Sequence, residues 1–503
     1  MNDDAVYDLT PGRRALVLLF VMLGTTIYAA SILISSALLP KIQGALSATQ
    51  DEVSWTMTFN IVATAVVTPM TGWLSERFGR RATMVWCASI FAVATLFCGL
   101  STSLEQLIFW RVVQGAAGAP LVPLGQAILL DTYPQRQHTM VMGIFGMANM
   151  IGPSLGPTLG GEISEAFGWR WGFWMIVPVA IATAIGCRFV IPLRAKREVA
   201  RLDWSGFLTL SIAIACTQLM FSRGQRLDWF ESTEIVLAAF VAGMAFYMFV
   251  AHSLTAKHPF VRLGLLKDRN YSLGLLLVLL FGMLNFAPVV LLPPLLQNFS
   301  GYPDSAIGLF IGWRGVGTAL GFFIAMFTGR FDPRLMMMVG FSLQGYAGYE
   351  LMQFDLNVSQ TQLAINSMFQ GMGIGVTWVP LTIVTFYTLP VTSRAEAMSI
   401  FHLVRNFGSS LFISISVAEI VRATGTNYAR MSEMISPFNK VWNMPWSTGG
   451  WTIESTEGVA RVAKEMVRQS TMIGYVNAFL MYAVIAAAAI PLCLLATLKK
   501  KVV

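Results

Sequence analysis

The chain has 503 residues, a net charge of +8, 55% hydrophobic residues and only 12% charged ones, about half the charged share of an ordinary soluble protein. A soluble multidomain enzyme needs a polar surface that this composition lacks. The positive charge is spread over short connections between apolar runs, which argues for orientation in a bilayer and against nucleic acid as a partner.

Runs of about twenty apolar residues recur along the whole length, each long enough to cross a ~30 Å hydrocarbon core as a helix whose backbone groups are satisfied internally. About fourteen spans are predicted by hydropathy. In chain order they are 15–38, 53–73, 82–100, 105–130, 141–162, 171–192, 204–222, 233–253, 272–298, 305–329, 335–353, 360–388, 397–420 and 471–497. The first is too long for a signal-peptide core and no cleavage site follows it, so it is expected to remain as an anchor. Residues 1–192 are expected to form an N-terminal six-helix bundle and 272–503 a C-terminal one. Between them, 193–271 holds two extra spans and a charged break, Leu193-Arg194-Ala195-Lys196-Arg197-Glu198-Val199-Ala200-Arg201.

The one long connection, 421–469, carries Trp442, Trp446 and Trp451, a residue type that settles at membrane–water interfaces. Val459, Val462, Ala463, Met466 and Val467 share one helical face there, with Arg461, Lys464 and Arg468 elsewhere. That pattern predicts an amphipathic helix lying on the bilayer, under a partner, or as a lid on its own bundle.

Lys and Arg in the short connections set the orientation. With the N-terminus in the cytoplasm, that side holds Arg13, Arg14, Arg77, Arg80, Arg81, Arg136, Arg194, Lys196, Arg197, Arg201, Lys257, Arg262, Lys267, Arg269, Arg330, Arg334, Arg394 and Lys499 to Lys501. The opposite short loops hold Lys41, Arg170, Arg223 and Arg226, a bias of roughly five to one that places both termini in the cytoplasm. The five cysteines, Cys87, Cys98, Cys187, Cys216 and Cys493, lie scattered in apolar segments with no metal or disulfide-framework spacing, as small packing residues do.

Three runs punctuate the apolar pattern. Gly72-Trp73-Leu74-Ser75-Glu76-Arg77-Phe78-Gly79-Arg80-Arg81 is a basic turn between spans. Gly72 and Gly79 permit a tight turn and close helix approach, Glu76 offers a pairable charge, and Arg80 and Arg81 are expected to hold the cytoplasmic surface. Arg111-Val112-Val113-Gln114-Gly115-Ala116-Ala117-Gly118 puts a guanidinium inside a span, at a cost of about 2.5–3.5 kcal/mol on insertion scales, which makes Arg111 a functional candidate by default. In Gly152-Pro153-Ser154-Leu155-Gly156-Pro157-Thr158-Leu159-Gly160-Gly161 the prolines remove helix donors and the glycines permit close packing, which predicts a bent, tightly packed helix at the bundle interface.

In order and spacing these runs resemble the loop motif, the membrane-Arg motif and the antiporter motif of the major facilitator superfamily. The loop Gly329-Arg330-Phe331-Asp332-Pro333-Arg334 sits where a degenerate copy of the 72–81 turn belongs. The two extra spans, the run Arg405-Asn406-Phe407-Gly408-Ser409-Ser410 and the segment from Arg468 to Phe479 are similar to the fourteen-span drug:proton antiporter family, EmrB-type, over essentially the full chain. The resemblance implies an all-α polytopic membrane protein of the major facilitator fold. Two six-helix bundles plus two inserted spans would rock about a midplane site. It implies a conformational switch in Gly72, Glu76, Arg77, Gly79, Arg80 and Arg81. It also implies proton or conformational coupling at Arg111, with Gln114, Gly115 and Gly118, and an exporter signature in Gly152, Pro153, Gly156, Pro157, Gly160 and Gly161. It further implies small hydrophobic or amphipathic substrates, protons and the lipid bilayer as partners, and an inner-membrane location. In a cell with two membranes a periplasmic adaptor and an outer-membrane channel would join them. No cofactor, metal or catalytic residue is implied.

One departure stands out. Relatives carry an Asp nine residues before a Pro in the first span, whereas counting back from Pro40 gives Ser31. The coupling candidates that remain are Arg314, Glu350, His402 and Arg405, with Asp131, Glu162 and Glu419 near span ends. His402 either titrates near neutral pH or packs as a hydrogen-bonded core residue. Flexible Met and aromatic side chains re-pack around varied ligands. Ser31, Met283, Phe286, Met372 and Trp378 are therefore cavity candidates, each with lipid-facing filler as the alternative. Two other functions fit the same sequence: a lipid or metabolite exporter not driven by protons, and a non-transporting sensor on the same fold. An enzyme would need a metal-spaced His/Cys set or a phosphate loop.

Overall fold

The computed structural model describes residues 9–193, 202–256, 259–299, 301–302, 304–326, 331–355, 357–389, 393–436, 438–443, 452–453 and 455–497. The charged break at 194–201, Gly329, Arg330, Trp446, Trp451 and Lys499 to Lys501 lie outside them. All regular structure among the described residues is helical.

The helices are α1 (Pro11–Ala45), α2 (Gln50–Val67), α3 (Thr71–Arg77), α4 (Arg80–Leu100), α5 (Leu104–Gly118), α6 (Leu121–Thr132), α7 (His138–Phe167), α8 (Trp169–Trp174), α9 (Ile176–Val190), α10 (Trp204–Arg223), α11 (Thr233–Thr255), α12 (Arg269–Asn298), α13 (Asp304–Met326), α14 (Pro333–Met352), α15 (Gln360–Phe386), α16 (Arg394–Ser432) and α17 (Thr456–Cys493). Local chemistry explains many of the starts. Thr49 with Glu52, and Ser359 with Gln362, close capping boxes at α2 and α15, while Ser103, Asp203, Asp268, Asp332 and Ser455 accept from the first turns of their helices, meeting donors that a helix N-terminus leaves unpaired. Burial alone would raise the Asp203 carboxyl. Its bonds to the Gly206 and Phe260 N–H groups and to His252 outweigh that and hold it below the usual carboxylate range.

Each predicted span falls on a helix or on a broken pair. Span 2 is α2 joined to α3 by a 3₁₀ turn at Thr68–Met70, span 4 is α5 followed by α6, and span 6 is α8 followed by α9. Twelve described segments are apolar and long enough to cross a membrane. The other two predicted spans are the helices α7, punctuated by Gly, Pro and Ser, and α14, which carries Gln344 and Glu350.

The region 421–469 differs from expectation. α16 is one helix of 39 residues and α17 one of 38, each close to 57 Å at 1.5 Å per residue against a ~30 Å hydrocarbon core. Residues 421–432 continue the thirteenth span, and 456–469 begin the last one. The predicted amphipathic segment is therefore the first turns of α17, not a separate surface helix. Along it Val462 is buried while Val459 and Val467 are exposed.

Packing follows a repeated scheme. In the first half α1 pairs with α7, α2 with α5, and α4 with α9; in the second α12 pairs with α16, α13 with α15, and α14 with α17. α10 and α11 pair with each other, and α10 also touches α2 and α16. Only 22% of the apolar window of either inserted helix is buried, against 83% in α5–α6 and in α15, so the inserted pair is peripheral and those helices are central.

Helices in lipid gain little from apolar burial against one another and rely on close packing. At Gly156 an added Cβ would lie 2.5 Å from the Ala30 carbonyl oxygen of α1. At Gly345 the nearest atom would be Ala486 Cβ at 3.6 Å, an ordinary contact. Gly156→Val is expected to lower stability by about 1–3 kcal/mol through overpacking. Gly345→Ala is expected to raise it by up to about 1 kcal/mol through helix propensity. Thermal unfolding of the detergent-solubilised variants, followed by fluorescence, checks both signs.

Candidate functional site

The 72–81 turn forms part of a closure at the end of the molecule that carries most of the basic residues. Gly72 lets α3 approach the first turn of α16, where an added Cβ would sit 3.1 Å from Glu396 Cα. Glu396 in turn accepts from Arg262 N at 2.8 Å and from its guanidinium at 2.9 and 3.0 Å. Gly79, at φ 86°, takes a left-handed conformation that suits glycine and separates α3 from α4. Arg77 is exposed; Glu76 and Arg81 are half-buried.

Arg80 corrects the expectation of a surface charge. It is buried, pairs with Asp131 of α6, and donates to Ala127 O at 3.0 Å. The pair fixes α4 to α6 inside one bundle. Asp131, one of the carboxylates near span ends, is thus engaged with Arg80 in this conformation.

Two further contacts cross between the halves on the same side. His402 Nε2 lies 2.7 Å from Gln126 Oε1, joining α16 to α6, and Gly143 and Gly146 of α7 abut Met326 and Phe322 of α13. His402 is a buried, hydrogen-bonded residue packed against Phe401 and Trp378. The glycines of the 152–161 run face elsewhere. Gly152 and Gly156 meet Thr26 and Ala30, and Gly160 meets Ile34, all on α1 of the same half. The bundle contact on α7 therefore falls earlier in the helix than the motif. Pro153 is half-buried, and the surroundings of Pro157 and Gly161 lie outside the described residues.

Nearer the middle of the molecule, Arg111 is almost fully buried in α5. It donates to Gln114 Oε1 and, at 3.4 Å, to the carbonyl of Ser31. Gln114 passes the network on to Thr95 Oγ1 at 2.7 Å. Gly115 abuts Asn60 and Gly118 the Tyr28 ring, so the run locks α5 to α2 and α1. Ser31 stands beside the guanidinium yet offers it a main-chain carbonyl in place of a carboxylate, while its own hydroxyl donates to Tyr28 O at 2.7 Å.

Arg405 of α16 binds Asn406 Oδ1 and lies 5.3 Å over the Trp378 ring. Arg111 on α5 belongs to the first half and Arg405 on α16 to the second. Arg314 of α13 donates to the Asn285 carbonyl. Glu350 of α14 accepts from Asn366 Nδ2 at 2.8 Å, and Asn366 Oδ1 accepts from Gln370 Nε2 at 2.6 Å.

This amide chain ends at a cavity. A small, partly open pocket lies between α12, α13 and α15, with Arg314, Ser367 and Gln370 as its polar lining. Its apolar walls include Leu292, Phe310 and Ile311. The sequence-based cavity candidates are placed differently. Trp378 is buried among Phe281, Phe401 and His402, Ser31 is buried against Arg111, and Met283, Phe286 and Met372 are half-buried on their helices without lining this space. Gln126, Gln370, Asn366 and Glu396 were missed, because a lone amide or terminal carboxylate in a span carries no spacing signal.

A family model described as Major Facilitator Superfamily matches residues 19–413. The chain is 33% identical over 409 residues to the multidrug export protein EmrB of Escherichia coli (strain K12), covering 81% of this chain and 80% of that protein. It is 30% identical over 483 residues to the probable multidrug resistance protein EmrY of the same organism, covering 95% and 94%. The fold is similar to that of the proton:xylose symporter XylE, with a TM-score of 0.60, 12% identity and 95% of both chains covered.

Removing one member of a buried ion pair leaves an uncompensated charge and typically costs about 3–5 kcal/mol, whereas replacing both by apolar groups costs less. Asp131→Ala is therefore expected to destabilise by that amount. The double variant Arg80→Met with Asp131→Leu is expected to recover most of the loss. A thermal-melting comparison of the single and double variants checks the order.

Proposed function

The chain belongs to the major facilitator superfamily, and we propose that it is a multidrug exporter of small hydrophobic or amphipathic compounds, driven by inward proton flow through alternating access. The observation that carries this reading is the one-sided closure. The direct bridges at Gly72–Glu396, Gln126–His402 and Gly143/Gly146–Met326/Phe322 all lie on the side of the basic connections. Lys and Arg bias puts that side in the cytoplasm, so the described conformation is sealed inward and faces outward. Rocking one half against the other would break these bridges and open the inner side. The curated relatives are named as multidrug export and resistance proteins, which supports export as the direction of transport.

For the proton, Glu350 is the best-placed carboxylate. Asp131 is neutralised by Arg80 and Glu396 by Arg262, whereas Glu350 reaches the cavity through two amides. The location is the inner membrane with both termini cytoplasmic. In a two-membrane cell a periplasmic adaptor and an outer-membrane channel would complete the route.

In proteoliposomes containing only this protein, an inward proton gradient should move an amphipathic fluorescent substrate and protons together. Glu350→Gln is expected to reduce the coupled proton flux to background while substrate still binds. Substrate movement without protons would replace antiport by facilitation, and a Glu350→Gln variant with unchanged coupling would remove Glu350 from the path.

A further inference from the structure

The inserted helix α10 packs on α2 of the first half and on α16 of the second. Its buried residues, Gly206, Leu210, Ala213 and Gln218, fall on one side of the helix at 3.6 residues per turn, and the rest of its surface is left to lipid. At its outer end two consecutive residues take hold of opposite halves. Ser222 Oγ lies 2.8 Å from Thr58 Oγ1 of α2, and the Phe221 carbonyl accepts from Ser414 Oγ of α16 at 2.9 Å. The Phe221 ring also rests against Phe407 of α16, with centroids 5.7 Å apart. Arg226, in the 3₁₀ turn that follows, donates to Ser54 of α2 at 2.9 Å. Thr58 and Ser414 are buried, while Ser222 is exposed.

These ties have the chemistry of contacts that form and break. The last carbonyls of a helix have no partner within it, so Phe221 can accept from Ser414 without giving up a bond of α10. Both ties to the two hydroxyl-bearing helices are hydrogen bonds between neutral groups, each with a small net contribution to stability. Such bonds are strong enough to bias a balance between two conformations and weak enough to release. Their place says which balance. At the basic end the halves meet directly, with Gly72 of α3 against Glu396 of α16. At the opposite end α2 and α16 are linked through Phe221 and Ser222.

We propose that the outer end of α10 is a strut across the α2–α16 seam that holds the outer ends of the two halves apart and so favours the conformation sealed on the basic side. The proposal rests on the alternating-access reading above and adds to it an element that sets its resting balance. Rocking that opens the inner side draws the outer ends of the halves together and shortens the span that Phe221 and Ser222 bridge. With the ties removed, that movement costs less, and the gain shows at the far side of the membrane.

The experiment is hydrogen–deuterium exchange, read by mass spectrometry, on the full-length detergent-solubilised protein. The peptides that matter cover 71–80 and 394–402, the basic-end closure, because exchange there reports how often it opens. They lie at the end opposite the substitutions, so local loosening around α10 would not move them. Wild-type protein is expected to exchange slowly at both. Thr58→Val combined with Ser414→Ala is expected to speed exchange there at least about threefold, the effect of losing two such bonds. Thr209→Val is the control: it lies on the same helix, its hydroxyl donates to the Ser205 and Gly206 carbonyls, and it should leave both peptides unchanged. If the double variant does not fold, Ser222→Ala decides instead, since it removes the link to α2 from an exposed position and leaves both bundles untouched. Unchanged or slower exchange in the deciding variant would overturn the strut, as would an equal rise in Thr209→Val. Fast exchange of the closure in the wild type would overturn the sealed-inward reading and the strut with it, whereas a slow wild type with an unresponsive variant overturns the strut alone.

Discussion

The arrangement depends on how closely helices can approach where no water is present to drive them together. The second half shows the solution in reciprocal form. On α12 and α16, Gly282 sits on the Arg405 carbonyl while Gly408 sits on the Leu279 carbonyl; on α13 and α15, Gly317 sits on the Met368 carbonyl while Gly371 sits on the Arg314 carbonyl. In each pair a side chain on either glycine would collide with main chain, which cannot rotate away. Two of the four carbonyls belong to Arg405 and Arg314, so the same contacts that hold the helices together also fix where the guanidiniums begin. Packing and electrostatics are one constraint here.

The pairing scheme recurs in the first half, with α1 on α7 and α2 on α5, but its glycines are fewer and one-sided. The halves meet directly at the basic end. At the other end the bridge is indirect, through the inserted helix α10. Ser222 shares a hydrogen bond with Thr58 of α2 at 2.8 Å, and the neighbouring Phe221 carbonyl accepts from Ser414 of α16 at 2.9 Å. Arg226 adds a bond to Ser54, and Arg223 lies over the Trp55 ring. A peripheral helix thus bonds both halves at the end away from the basic connections. α10 is therefore bonded to both halves and is not only a lipid-facing addition.

Much of the fold was legible because membrane helices announce themselves by hydropathy. Boundaries set by other forces were not legible. Residues 421–432 and 456–469 are too polar to count as span, yet they keep helical propensity and continue α16 and α17 past the membrane. Arg80 reads as a surface charge because its partner, Asp131, lies across a break and two helices later. The bond from His402 to Gln126 joins residues far apart in sequence, neither in a motif. The three motif runs were visible because glycine spacing is local. What each run touches was not, as the placement of Gly152 and Gly156 against α1 demonstrates.

Comparing the arginines separates a charge paired with a carboxylate from charges met by neutral groups alone. Arg80 is buried at the rim and fully answered by Asp131 and a carbonyl, so it contributes rigidity between α4 and α6. Arg111, Arg314 and Arg405 are answered only by neutral groups. Carbonyls and amides lower the cost of such a charge without cancelling it. Ser31 shows how narrow the difference is: a carboxylate there would give Arg111 a permanent partner, while the hydroxyl that is present turns back to its own helix. Arg405 lies one turn from the His402–Gln126 bond that joins α16 to α6, so this charge and a contact between the halves share one helix.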